Sequence, residues 1–277
     1  MCLRFGRRIV GLSRSFVLGQ HYPGISAIHR SGALVKLVST IVLMIGIFVA
    51  TKTAQYIPIA VLLGIGIGVS RIPLRFFARG LKPIMFLILL TVVVQIFFTP
   101  GTPVWRFWFM RVTREGLVLA GFILCRLVLL TLVSVLLTAS TSPIELTDAV
   151  SDLLKPLSHI GVPSAEIALV MSIAMRFVPT ILEETERIIR AQVSRGAKIG
   201  EGSLVVRMKS FIPILIPLFV SSFRRADDLA VAMEARGFRV GNPRTRYHAR
   251  HFEPSDAFIL LGTAAGLSGV ILWRLFL

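Results

Sequence analysis

The run LVLAGFILCRLVLLTLVSVLLTA, residues 117–139, decides the class of this chain. A helix needs about 20 apolar residues to cross the hydrocarbon core of a bilayer, and this run supplies them with a single interrupting charge, Arg126. Working outward, the same kind of run recurs at Leu34–Thr51, Ala54–Val69, Lys82–Thr99 and Ala257–Leu277. The whole chain of 277 residues is 55% hydrophobic and 16% charged, with a mean hydropathy of +0.79. A soluble domain of this length carries more charge and less apolar surface. The expectation is an all-α, polytopic membrane protein with about five transmembrane helices plus a cytoplasmic region of long helices.

Charge agrees with that class. The net charge is +17, from 31 Lys+Arg against 14 Asp+Glu. Such a balance first raises nucleic-acid binding. Its distribution argues against that: Met1–Arg114 holds 14 Lys/Arg and no acidic residue, and these cations sit mainly between apolar runs. Positive charge so placed holds loops on the cytoplasmic side, near anionic lipid. Arg4, Arg7, Arg8, Arg14 and Arg30 mark the N-terminal arm, and Arg71, Arg75, Arg79 and Lys82 follow the second run, whereas the link after the first run has only Lys52. The N-terminus is therefore expected inside and the C-terminus, after five crossings, outside. Arg106, Arg111 and Arg114 are the exception, since they fall outside. Their neighbours Trp105, Phe107, Trp108 and Phe109 suit an interfacial hairpin.

Small features carry open alternatives. Gly64, Gly66 and Gly68 in the second run allow a neighbouring helix to approach closely; a tilted or re-entrant segment is the competing reading. Arg126 is read as bonded to neighbouring carbonyls or to Gln95, in preference to lining a cavity. The start MCLRFGRRIVGLSRSF lacks the apolar centre and cleavage site of a signal peptide, and reads as a retained basic arm. Cys2 and Cys125 form no metal-ligand spacing and no expected disulfide. His21, His29, His159, His248 and His251 are scattered, with no pattern of cysteines or carboxylates to complete a metal site. No cofactor is expected.

From Ser142 onward the chain changes character. Between Val150 and Pro254 there are 15 Lys/Arg and 10 Asp/Glu among long apolar stretches of helical period. Ser142-Pro143 opens a first helix, about Ile144–Ile160, and Gly161-Val162-Pro163-Ser164 ends it. A second helix is expected over Ser164–Arg195, apolar at Ile167–Met171 and charged from Glu183. The pairs Glu183–Arg187 and Glu186–Arg190 have the favourable i,i+4 order. A third, about Ser203–Arg236, repeats the plan with apolar Phe211–Val220. Pro179 lies inside the second, and Pro213 and Pro217 inside the third. Each proline either kinks its helix or starts a new one.

The decisive signal is a repeat. ERIIRAQVSRGAKIG, residues 186–200, aligns without a gap over DDLAVAMEARGFRVG, residues 227–241. Ala191/Ala232, Arg195/Arg236, Gly196/Gly237 and Gly200/Gly241 are identical, and Ser194/Ala235, Lys198/Arg239 and Ile199/Val240 are among the conservative matches. One Arg-Gly pair is an ordinary helix end, because glycine tolerates positive φ and arginine suits the negative pole of the helix. Two with matched flanks ask for more. Each tip, Ser194-Arg195-Gly196 and Ala235-Arg236-Gly237, offers a planar guanidinium able to hold a carboxylate through two hydrogen bonds, beside a residue small enough to admit a partner surface. Two equivalent tips imply two equivalent receptors, as on a cytoplasmic dimer.

These residues resemble the transmembrane T subunit of energy-coupling factor transporters, the family that includes membrane components of cobalt and biotin uptake systems. The likeness is carried by Met175–Pro179 through Glu183-Glu184 to Arg190–Ala197, and by Pro217–Ser221 with Arg224–Phe238. Thr141-Ser142-Pro143, Leu154–Leu157, Gly161-Val162-Pro163, Gly19-Gln20 and Ile28-His29-Arg30 also fit. The chain departs from the family in having Ser194 where Ala-Arg-Gly is usual, and Ser31–Leu34 where Leu-Asp-Pro-Arg is usual. The second change removes an acid from the first segment.

The resemblance implies a non-catalytic coupling subunit of an ABC-type importer for vitamins or metal ions. In that family the Arg-Gly tips dock on two ABC-type ATPase subunits, and a separate substrate-binding S subunit sits in the membrane. It implies a multi-pass protein of the plasma membrane with its N-terminus and coupling helices cytoplasmic. The corresponding divisions are a basic arm (1–33), transmembrane helices (34–141), coupling helices with the two tips (142–254) and a last transmembrane helix (255–277). The residues themselves agree: there is no phosphate-binding glycine loop and no nucleophile–base pairing. A self-sufficient permease would place repeats and polar residues in the spans. A membrane-embedded enzyme would need clustered acids or histidines at a membrane face.

Overall fold

A computed structural model describes residues 24, 26–107, 110–197, 199–200, 203–239 and 253–276. They fall into two compact units, one holding residues 24–150 and 253–276, the other 151–239. Cys2, His21, Trp108, Phe109, Lys198, Val240, Gly241, His248, His251 and the basic arm to Arg14 with Gly19-Gln20 lie outside the described residues.

The first unit runs α1 (Ala27–Arg30), α2 (Ala33–Val49), a 3-10 turn (Thr53–Gln55), α3 (Tyr56–Ser70), α4 (Leu74–Phe98), strands β1 (Pro103–Phe107) and β2 (Met110–Thr113), α5 (Arg114–Ser140), most of α6 (Pro143–Leu154), and the returning α10 (Pro254–Phe276). The fold is thus all-α apart from one antiparallel hairpin, in which Arg106 pairs with Arg111 and Phe107 with Met110. The hairpin falls where the aromatic link was expected to turn. Thr113 starts α5 by accepting from the Gly116 amide (3.1 Å) and closes the α4 end by donating to the Thr99 carbonyl (2.9 Å).

Among the described residues six helical stretches are long and apolar enough to cross a membrane: Thr53–Ser70, Leu74–Phe98, Arg114–Ser140, Ser164–Ser194, Leu204–Ala235 and Pro254–Trp273. Ala33–Val49 is a shorter apolar helix. The expected runs map onto α2, α3, α4, α5 and α10. Two further stretches of the charged insert also qualify, because their charges crowd into one end. Outer faces of the first unit are strongly apolar: Phe86 is 74% and Phe98 81% exposed, as a lipid-facing surface requires.

Its core joins α2, α3, α5 and α10 through Ile47, Ile59, Leu63, Leu129, Val133 and Val270. The close helix contact differs from expectation. Of the three α3 glycines only Gly66 meets a neighbouring helix, its Cβ position lying 3.4 Å from Leu136 of α5; at Gly64 or Gly68 a Cβ would meet nothing within 4 Å. Closer approaches are made by Gly80 of α4, where a Cβ would lie 2.6 Å from Val135 of α5, and by Gly262, Gly266 and Gly269 of α10, where it would lie 3.1–3.2 Å from Leu62 or Pro58 of α3. The Arg71–Lys82 link also differs: all but its first residues are helix, since α4 begins at Leu74.

Arg126 is held at the α2–α3 turn. Its guanidinium donates to the carbonyls of Ala50 (2.9 Å) and Phe48 (3.3 Å) and to the Tyr56 hydroxyl (3.0 Å), over the Phe122 ring. The carbonyl reading of Arg126 therefore holds, but Gln95 is not its partner; Gln95 accepts from Thr99 Oγ1 instead. Gln55, 1% exposed, accepts from the amides of Thr51 and Lys52 in the same turn. At the opposite end of α2, the buried Asp256 of α10 accepts from the Gly32 amide at 2.7 Å. The first segment lacks its own acid, and α10 supplies one.

The second unit contains a 3-10 stretch (Lys155–Ile160) following α6, then α7 (Ser164–Ser194), α8 (Leu204–Lys209) and α9 (Ile212–Ala235). The expected first helix tightens into 3-10 turns where Pro156 removes a donor. The expected third helix is broken. A proline ring clashes with the carbonyl four residues back, so Pro213 cannot continue α8; it sits in the first turn of α9 instead. Pro179 and Pro217 lie inside their helices.

Candidate docking site

The site consists of the two arginine-tipped helix ends. Helix α7 stops at Ser194 because Gly196 turns left-handed, φ +84°. The Gly196 amide then bonds the Val193 carbonyl (3.0 Å) and the Ala197 amide reaches back to Gln192 O (3.0 Å). Helix α9 stops at Ala235 in the same way: Gly237 has φ +72°, its amide bonds Glu234 O (2.9 Å), and the Phe238 amide bonds Met233 O (3.0 Å). Both ends are Schellman motifs with arginine as the C-cap residue. A Cβ at Gly196 or Gly237 would meet nothing within 4 Å, so backbone conformation and not space demands glycine.

All six predicted tip residues are exposed. The chain supplies no carboxylate within ion-pair distance of Arg195 or Arg236 among the described residues, whereas Arg187 and Arg190 further up α7 are engaged. Arg190 pairs with Glu186 (3.3 Å) and Arg187 with Glu184 (3.6 Å). The expected Glu183–Arg187 pair is not made: Arg187 turns to the acid one position nearer. Ser194 keeps its hydroxyl on its own helix, donating to Arg190 O at 3.0 Å, and so presents a small, internally satisfied surface beside Arg195.

The structure adds a residue that sequence reading missed. Pro217 has no N–H, so the Pro213 carbonyl four residues earlier lacks its helical donor. Gln192 Nε2 points to that oxygen at 3.4 Å, the long end of the useful range. This contact sets the tip of α7 beside the start of α9. The second tip lies at the far end of α9, which has 24 residues and is about 36 Å long at 1.5 Å per residue. The tips are separated by roughly a helix length and cannot share one groove. The repeat could not reveal Gln192, because its counterpart is Met233; the signal was the proline pair.

A family described as CbiQ, cobalt transport protein, matches residues 24–247. The chain belongs to this family. It is 45% identical to the energy-coupling factor transporter transmembrane protein EcfT of Acidaminococcus fermentans over 94% of this chain and 93% of that one. It is 47% identical to EcfT of Clostridium kluyveri, over 84% of this chain and 87% of the relative. Against EcfT of Brevibacillus brevis the identity is 45%, over 94% and 99%. As a CbiQ-family chain it is a transmembrane component of an energy-coupling factor transporter.

Proposed function

We propose that this chain couples ATP-driven motion of two ABC-type ATPase subunits to a substrate-binding S subunit in the membrane, for uptake of a vitamin or metal ion. The supporting observation is the pair of matching Schellman ends, each with an exposed arginine lacking a carboxylate partner among the described residues, about a helix length apart. Two such ends fit two grooves on a dimer, each offering a carboxylate to a guanidinium. Ser194-Arg195-Gly196 and Ala235-Arg236-Gly237 are the docking residues in this reading. Pro179 and Pro217 bend α7 and α9, and Pro213 restarts the chain after α8. The N-terminus and residues 142–254 face the cytoplasm of a cell-membrane protein. The chain itself performs no catalysis.

The apolar faces of the second unit support a further membrane partner. Met208 is 74%, Phe219 61% and Phe223 69% exposed, on helices whose tips are charged. Such surfaces are covered either by lipid or by another subunit.

Copurification of the full transporter tests the docking residues. Arg195→Glu and Arg236→Glu should each weaken ATPase association, and together abolish it, with membrane insertion unchanged. ATPase recovery undiminished in the double variant removes the proposal.

A further inference from the structure

Two adjoining cavities of the first unit remain without a role. One is a polar cleft of about 670 Å³ lined by Arg30, Arg71, Glu253 and Ser26. The other is an apolar chamber of about 480 Å³ between α2, α3, α5 and α10, with Leu43, Leu62, Val133 and Phe258 in its walls. Val69 and Ser255 line both, so the cleft and the chamber are neighbours on either side of these two residues.

Three independent observations give the pair a ligand chemistry. Arg30 and Arg71 are exposed, and neither makes an ion pair among the described residues, so the described lining of the cleft sets two cations against the carboxylate of Glu253. Arg71 is the one described non-glycine residue with positive φ, +55°, at the end of α3. Glycine would take that conformation without strain, so an arginine held there points to a use for its guanidinium. Inside the chamber, Ser39 is 4% exposed and its hydroxyl has no hydrogen-bond partner. A buried hydroxyl without a partner is costly unless a ligand supplies an acceptor.

We infer that the two cavities together bind one anionic phospholipid, its phosphate between Arg30 and Arg71 and an acyl chain in the chamber. An ester carbonyl of the lipid is the acceptor for Ser39. Free phosphate leaves the chamber and Ser39 unused, and an uncharged lipid leaves the arginines unused.

The test uses the full chain, delipidated in detergent and titrated separately with phosphatidylglycerol and phosphatidylcholine of the same acyl chains, with retention read by native mass spectrometry. Phosphatidylglycerol should be retained about thirtyfold better, as two arginines near the membrane surface provide. Arg30→Gln with Arg71→Asn, both at exposed positions, should erase that preference while leaving the fold intact. Ser39→Leu, which fills the chamber, should lower retention of both lipids. Excess inorganic phosphate should displace neither. Equal retention of the two lipids by the native chain overturns the inference, as does an undiminished preference in the arginine double variant. Displacement by inorganic phosphate overturns it too. So does cross-linking of a Ser39→Cys chain to a partner subunit in the assembled transporter.

Discussion

At the scale of single residues, the two kinds of arginine in this chain are separated by what their surroundings supply. Arg126 has its hydrogen bonds met inside the fold, by Phe48 and Ala50 carbonyls and the Tyr56 hydroxyl. Replacing it by methionine leaves acceptors in an apolar setting unpaired, at about 1–3 kcal/mol. The melting temperature of the purified Arg126→Met chain should fall by several degrees, and Arg126→Lys should restore only part of it, having no fork to span three acceptors. Arg195 and Arg236 have no such partners among the described residues, so their removal should leave melting unchanged and show only in ATPase association. The glycines beside them act through the backbone. Gly237→Ala forces a Cβ into the left-handed region, at about 1 kcal/mol. Hydrogen exchange at the Phe238 amide, bonded to Met233 O, should then rise about fivefold, while Arg236 remains in place.

At the scale of elements, the proline pair in α9 links two helices that sequence treats as independent. If Pro217 frees the Pro213 carbonyl for Gln192, then Pro217→Ala should restore the helical bond and release Gln192. Gln192→Leu should release the same contact from the other side. Spin labels on Ser194→Cys and Ala235→Cys, in a Cys2→Ser, Cys125→Ser background, should report a broader distribution of tip-to-tip distances in both variants. Unchanged distributions would mean that packing alone fixes the pair. The existence of these helices was legible because long apolar runs and a strict repeat need no partner to be read. Their junctions were not. The break at Ser210-Phe211 follows from where Pro213's ring meets the preceding turn, and sequence alone leaves kink and restart equally open. Likewise, of the three α3 glycines only Gly66 meets a neighbouring helix, and the closer approaches belong to Gly80 of α4 and to Gly262, Gly266 and Gly269 of α10, because only tertiary placement decides which small residue faces a helix. Asp256 escaped notice for the same reason: its partner, the Gly32 amide, is 224 residues away.

At the scale of the whole molecule, the coupling proposal requires more than two well-formed tips: both must emerge on one side of the bilayer. The sequence bears on this through charge alone. Basic residues flank the apolar runs at the N-terminal arm and after α3, whereas the link after α2 carries only Lys52. In the coupling proposal that asymmetry argues for an N-terminus and two tips in the cytoplasm and an α4–α5 hairpin outside. The arginines of the hairpin oppose the trend, and for that reason the hairpin is the informative control. In a Cys2→Ser, Cys125→Ser background, single cysteines at Ser194, Ala235 and Thr102 can be labelled with an impermeant maleimide. In inverted vesicles the first two should react and the third should not; in right-side-out cells the pattern should reverse. Thr102 reacting on the same side as the tips would reverse the assignment of α4 and α5. The two tips reacting on opposite sides would be more serious, since a single cytoplasmic dimer could not then receive both arginines.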